Sequence, residues 1–165
     1  MIPLLIDLKN EPVLIAGGGS IALRRLQLLL EEEALLTIIS PEAGQEIADL
    51  AKNGRITWHQ REISLEDLEG YRLIIAATND SELNSKIADA ARKHTLVNVV
   101  SRAENGNIQV PKIVKKGKLT LSVSTGGASP ALAKEIGGKI EQLLDNDIEA
   151  QLDEQWKKRK DPDLG

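Results

Sequence analysis

Short aliphatic runs alternate with segments of helical period along most of the chain. LLID (4–7), VLIA (13–16), LLTII (35–39), ITWHQ (56–60), LIIAA (73–77) and LVNVV (96–100) have the length and composition of strands. Between them, apolar positions return every three or four residues over 21–32, 44–52 and 82–93, which predicts helices. SLED at 64–67 has the form of a capping box with Asp in place of the usual Glu, so a short helical turn is expected to open at Ser64. Strands that are aliphatic almost throughout are buried on both faces, and strands that alternate with helices join in parallel through crossovers. The pattern therefore predicts an α/β fold with a Rossmann-type, doubly wound parallel sheet.

After Pro111 the pattern changes. KIVKKGKLTLSVST reads as two strands around Lys115-Lys116-Gly117, a hairpin. GGASPALAKEIGGKIEQLL reads as a glycine turn and a helix capped by Ser129, with Pro130 at its first position and Leu132, Ile136, Ile140 and Leu143 on one face. The pair Gly137-Gly138 costs such a helix about 2 kcal/mol relative to two alanines, which predicts a kink or a close packing contact. From Asp145 the chain is highly charged and ends KKRKDPDLG; a mobile tail is expected, with Leu143, Leu144, Leu152 and Trp156 as its anchors. These shifts divide the chain into residues 1–111, 112–145 and 146–165.

Composition narrows the chemistry. With 165 residues, 41% of them hydrophobic, no Phe and one Tyr, the core must be built from Leu, Ile, Val and Ala, which suits helices on a parallel sheet. A net charge of -4 argues against a nucleic-acid surface, although local basic patches remain open. The absence of Cys removes disulfides, thiolate metal sites and cysteine nucleophiles together. His59 and His94, one in a strand and one at a helix end, show no ligand spacing, so no resident metal is expected. MIPLLIDLKNEP carries an acid where a signal peptide would be apolar, and no window reaches the length of a membrane span, so a cytoplasmic protein without membrane association is expected.

The strongest local motif is VLIAGGGSIALRRLQLLL, which places Gly17, Gly19 and Ala22 in a G-x-G-x-x-A pattern between a strand and a helix. The first glycine makes the tight turn, the second admits a pyrophosphate to the backbone, and the small third residue lets helix and strand pack closely. The phosphates would then sit on the open N–H groups of the helix start. The alternative is a glycine-rich turn that binds nothing. An NAD-binding strand normally ends in Asp or Glu for the ribose hydroxyls; here LLTIIS ends in Ser40, with Glu42 two positions on. No arginine follows to receive a 2′-phosphate, which favours NAD over NADP. Thr78, Asn79 and Asp80 stand at the carboxyl end of LIIAA, the edge that faces a cofactor in a doubly wound sheet. Asp80 or Ser81 can equally cap the next helix, and capping and cofactor contact can coexist.

DLKNEPVLIAGGGSIALRRLQLLL, IIAATNDSELN, LVNVV and SVSTGGASPALAKEI follow one another in an order and spacing that resemble the precorrin-2 dehydrogenases over residues 3 to about 145. That family includes stand-alone enzymes and bifunctional forms, also sirohydrochlorin ferrochelatases, at the amino-terminal end of some sirohaem synthases. The resemblance implies an NAD-dependent oxidation of precorrin-2 to sirohydrochlorin on the route to sirohaem or cobalamin. It implies a homodimer whose contacts come mostly from the segment after the nucleotide domain. On it, Gly17, Gly18, Gly19, Ser20 and Ile21 fall on the pyrophosphate loop, Thr78, Asn79 and Asp80 on the cofactor segment, and Ser124, Thr125, Gly126 and Gly127 on the tetrapyrrole-facing loop. A substrate with eight carboxylates calls for cations, and 112–118 holds Lys112, Lys115, Lys116 and Lys118 without one acid. Lys112 is thus a candidate for substrate binding; a solvated basic hairpin that protects a sheet edge is the competing reading.

One departure falls at the expected catalytic position. Where the family usually reads NVVD, this chain reads Asn98-Val99-Val100-Ser101, and the resemblance makes Asn98 and Ser101 the catalytic candidates. A neutral serine takes no proton at pH 7 without a neighbouring base. Ile108 also stands where the family has an aromatic residue. Dehydrogenation with Ser101 orienting water, replacement of the base by Glu104 or His94, and a non-catalytic NAD- or tetrapyrrole-binding relative all remain open, with chelatase activity expected to be weak or absent. A nucleotide-sensing regulatory domain is a further alternative, against which Ser40 and STGGASP both count.

Overall fold

The computed structural model describes residues 1–91, 95–144 and 147–160. The expected carboxyl end of the 82–93 helix and His94 lie outside the described residues. The chain forms two compact units, Leu4–Gln109, and Val110–Gly165 together with Met1–Pro3.

In the first unit, five parallel strands lie in the order β3-β2-β1-β4-β5. They are β1 (Pro12–Ala16), β2 (Leu35–Ile39), β3 (Thr57–His59), β4 (Leu73–Ala76) and β5 (Leu96–Val99). Helices α1 (Ser20–Leu30), α2 (Gln45–Lys52) and α3 (Ser81–Ala91) make three crossovers, and a 3-10 turn at Leu65–Leu68 lies on the β3-to-β4 connection. This is the doubly wound sheet that the aliphatic runs predict. Alternation decides which face each strand residue joins: Val13, Ile15, Ile38 and Ile75 pack with Ala22, Leu26 and Leu29 of α1 and Ile47 of α2. Leu14, Ala16, Ile74, Ala76, Val97 and Val99 pack with Leu68 and with Ile87, Ala88 and Ala91 of α3. The central strands β1 and β4 are covered on both sides, which is why their sequences show no polar alternation.

LLID is not a strand. Leu4 and Leu5 are 70% and 86% exposed and only Leu8 reaches the core. An aliphatic run becomes a strand only where another strand accepts its backbone; here Glu11 N–H returns to Leu8 O at 2.9 Å and closes a turn instead. SLED does form the expected reciprocal start. The Asp67 carboxylate accepts from Ser64 N–H at 2.8 Å and from Arg61 at 2.6 and 2.7 Å. Those bonds, that to Arg61 first, hold its pKa well below the usual carboxylate range.

In the second unit, β6 (Lys112–Lys116) and β7 (Leu119–Val123) pair antiparallel and α4 (Pro130–Leu143) packs on them. Ser129 caps α4, its Oγ accepting from Leu132 N–H at 3.2 Å, and Pro130 opens it. The glycine pair answers to close packing: a Cβ on Gly137 would lie 2.7 Å from Lys112 Cγ, whereas one on Gly138 would meet nothing. The charged tail has secondary structure that its composition did not suggest. Asp147–Lys160 is a helix, α5, with acids in its first turn and four basic residues in its last. That arrangement opposes the helix dipole, and Glu154–Lys158 adds an i,i+4 pair at 2.7 Å.

Candidate functional site

At the point where strand order reverses, β1 and β4 are neighbours whose following connections lead to opposite sides of the sheet, the place where open α/β sheets bind ligands in a crevice outside the carboxyl ends of their strands. The three glycines after β1 serve different purposes there. Gly17 has φ +120°, and a Cβ on it would lie 2.4 Å from Ala77 O at the end of β4. A Cβ on Gly18 would lie 2.1 Å from Glu42 O and 2.7 Å from Ser40 Oγ. The fold itself therefore requires glycine at both positions. Gly19 differs: it is the N-cap of α1 with φ -81° and ψ -173°, which any residue adopts, and a Cβ on it would meet nothing within 4 Å. No side chain caps α1, so the N–H groups at its start, next to exposed Ser20 and Ile21, face an open cradle. Open N–H groups at a helix start are the kind of group that binds phosphate. Farther along α1, the Arg25 Nε is buried without an acceptor among the described residues, and burial, with Arg24 beside it, lowers its pKa.

Ser40 follows β2 beneath this loop and is 3% exposed. Trp58 Nε1–H donates to Ser40 O at 3.1 Å and lies 3.2 Å from its Oγ. The serine is thus turned inward under Gly18, while Glu42 is exposed.

After β4, the expected cofactor segment is tied to α3. The side-chain oxygen of Asn84 accepts from Thr78 N–H at 3.1 Å and from Thr78 Oγ1 at 2.7 Å, and its Nδ2 donates to Thr78 O at 3.0 Å. Asp80 Oδ1 accepts from the N–H groups of Glu82 and Leu83 at 2.8 and 3.1 Å, so the capping role of Asp80 is realised. Asn79, between these two, is exposed. Sequence reasoning passed over Asn84; the signal was an asparagine in register with Ile87, Ala88 and Ala91 on the inward stripe of a helix.

The loop after β5 is pinned at several points. Asn107 Oδ1 accepts from Val97 N–H at 2.7 Å, its Nδ2 donates to Thr95 O at 2.8 Å, and its own N–H donates to Val97 O at 3.0 Å. These bonds cover the free edge of β5 with side chain and loop rather than with another strand. Asn105 Nδ2 donates to Ser85 Oγ at 2.8 Å. Ser101 is exposed at the start of this loop, one residue past Val100, whose N–H donates to Ala76 O at 3.1 Å. Ser101 and Thr78 thus leave adjacent strands at the same edge. Asn98 is 3% exposed, with Nδ2 3.4 Å from Ile108 O and Oδ1 unpartnered among the described residues. It lies within the sheet beneath Ile108.

In the second unit, Ser124–Gly127 joins β7 to α4. Ser124 Oγ accepts from Gly126 N–H at 3.2 Å and Thr125 Oγ1 accepts from Ser129 N–H at 3.0 Å. The basic stretch is partly committed. Lys116 Nζ donates to Leu144 O at 2.7 Å, Lys118 pairs with Asp153, and the stem of Lys112 covers Gly137.

Residues 4–112 match a family model described as putative NAD(P)-binding, and residues 116–143 match one described as sirohaem biosynthesis protein, central. A precorrin-2 dehydrogenase of Bacillus subtilis is 46% identical, across 97% of this chain and 99% of its own length. A siroheme synthase of Methylococcus capsulatus is 41% identical, across 87% of this chain but 30% of its own length. The solved structure of SirC, a precorrin-2 dehydrogenase, superposes with a TM-score of 0.84 at 33% identity, across 96% of this chain and 79% of that one.

Proposed function

The chain belongs to the precorrin-2 dehydrogenase family, and we propose that it oxidises precorrin-2 to sirohydrochlorin with NAD as the acceptor. The observation that carries this reading is Gly19: neither its backbone angles nor its neighbours call for glycine, but a pyrophosphate on the α1 amides does. Gly18, Gly19, Ser20 and Ile21 would hold the pyrophosphate through their backbone, Gly17, whose N–H donates to Ile39 O at 3.0 Å, would shape the turn, and Ser40 would form the floor beneath it. Asn79 would meet the cofactor from a segment that Thr78 and Asp80 anchor to α3. When bound, NAD accepts a hydride. The chain's own task is to align the tetrapyrrole with it and to exclude side reactions. Ser124, Thr125, Gly126, Gly127 and Lys112 are the proposed contacts for the substrate carboxylates, in a basic segment suited to anions.

Ser101 defines what the site lacks. An exposed neutral hydroxyl orients water but does not accept the substrate proton, so the proton leaves to solvent and metal insertion is weak or absent. The same serine favours the second reading, a relative that binds NAD or tetrapyrrole without turnover. Anaerobic incubation with precorrin-2 and NAD separates the two: dehydrogenation yields NADH and the sirohydrochlorin spectrum, and a folded protein that yields neither sinks it. Ser101→Asp supplies a proton acceptor and is expected to raise kcat about a hundredfold or more, within the roughly 10²–10⁴ that general base catalysis contributes.

The active form is a homodimer in the cytoplasm, where NAD is available. Leu132 and Leu143 on α4, 46% and 82% exposed, support self-association through the second unit. A monomeric mass by light scattering at micromolar concentration contradicts it.

A further inference from the structure

Asn84 is the one polar residue on the buried stripe of α3 and has no exposed surface. Among the described residues, all of its side-chain hydrogen bonds go to a single residue. It accepts from the N–H and the hydroxyl of Thr78 and donates to its carbonyl, at 3.1, 2.7 and 3.0 Å. A helix interior has no need of such a side chain. Leucine or alanine would pack there with Ile87 and Ala88, and burying an amide is tolerated only because its hydrogen bonds are made. The bonds therefore serve the loop rather than the helix. They draw the polar atoms of Thr78 inward and, with Asp80 engaged by the α3 amides, turn Asn79 out at the carboxyl edge. The next residue on the helix, Ser85, receives Asn105 of the loop that begins at Ser101. One helical turn thus fixes both loops that frame the crevice beside the glycine cradle.

We infer that Asn84 is a positioning residue for the NAD-facing segment Thr78–Asp80, acting through Thr78 without touching the cofactor. The inference rests on the NAD reading given above. The measurements are the NAD dissociation constant by calorimetry and amide exchange of the NAD-free protein, for the full chain and for Asn84→Ala, Thr78→Val, Thr78→Ser and the Asn84→Ala/Thr78→Val pair. At a temperature where circular dichroism shows each variant folded, Asn84→Ala is expected to weaken NAD at least tenfold. Without NAD, it is expected to speed exchange of the Thr78 amide at least tenfold. Thr78→Ser keeps the hydroxyl and holds NAD within threefold of the unsubstituted protein. Thr78→Val keeps the backbone bonds to Asn84 but loses the bonds of its hydroxyl to Asn84 and to Asp80, so the double variant is expected to lose less than the sum of the two single losses, because the bond from the Thr78 hydroxyl to Asn84 is counted in both. In steady-state assays, KM for NAD rises while KM for precorrin-2 stays within twofold.

Unchanged NAD affinity in folded Asn84→Ala overturns the inference, as do additive losses in the double variant, which would mean that the Thr78 hydroxyl acts independently of Asn84, through Asp80 or the cofactor. Should Asn84→Ala not fold, Asn84→Leu, which fills the same space without hydrogen bonds, decides: wild-type NAD affinity and wild-type exchange of the Thr78 amide overturn the clamp. Failure of the unsubstituted protein to bind NAD is a different result, which overturns the cofactor assignment itself.

Discussion

Replacing Gly17 and Gly19 one at a time by alanine separates what the fold needs from what the ligand needs. At Gly17, alanine must hold φ +120° and place its Cβ 2.4 Å from Ala77 O. A left-handed or otherwise sparsely populated backbone costs about 1–3 kcal/mol. The clash adds a comparable about 1–3 kcal/mol, because Ala77 cannot retreat: its N–H donates to Ala16 O at 2.9 Å across β1 and β4. Gly17→Ala should therefore lose roughly 2–6 kcal/mol, a fall of roughly 5–20 °C in Tm for a chain of this size. At Gly19 the same methyl meets no protein atom within 4 Å and the backbone is already extended. Alanine is a poorer N-cap than glycine, but it also stiffens the unfolded chain by about 0.4–1 kcal/mol, so the two effects nearly cancel. Gly19→Ala should melt within about 2 °C of the parent. On the pyrophosphate assignment its methyl stands where the phosphates approach, and displacing one or two charge-assisted hydrogen bonds at about 1.5 kcal/mol or more each would weaken NAD roughly tenfold to a hundredfold. Calorimetric melting without ligand and calorimetric titration with NAD give the two numbers. Wild-type NAD affinity in Gly19→Ala refutes the pyrophosphate assignment; a wild-type Tm in Gly17→Ala refutes the account of the turn.

Two further outcomes concern stability. Asn107→Ala leaves Val97 N–H and Thr95 O without their side-chain partners at the edge of β5 and should cost about 1–3 kcal/mol by denaturant unfolding, with faster aggregation on heating; an unchanged midpoint contradicts the edge-cover role. Asp67→Ala removes the pair with the half-exposed Arg61 and the bond to Ser64 and should cost only about 1 kcal/mol at pH 7. The folded carboxylate has the lower pKa, so this stabilisation is present above the ordinary Asp pKa of about 4 and is lost as pH falls through the folded value. Unfolding midpoints of parent and variant should therefore converge below about pH 4, and a constant gap contradicts the assignment.

The runs VLIA and LIIAA were legible as central strands because strands covered on both faces leave no polar alternation to mislead. The same reasoning failed for LLID, where an equally aliphatic run had no strand to join. At 147–160 a dense run of charge gave no sign of the helix that forms there. Whether charges repel or pair depends on their spacing along a helix, and Glu154 and Lys158 stand four apart. Ser40 was legible as the residue at the end of β2, but not its orientation, which is set by Trp58 eighteen positions away.

By itself, the order of aliphatic runs, glycines and caps determined the parallel sheet, the position of the dinucleotide loop and the hairpin-and-helix segment after it, because each depends on residues near one another in the chain. Only the tertiary structure decided which glycines the fold requires and which it does not, since that depends on how closely Ala77 and Glu42 approach. It also turned Asn84 from one more polar residue on a helix into the partner of Thr78. A buried amide must find its hydrogen bonds in space, and the partners it finds are fixed by packing.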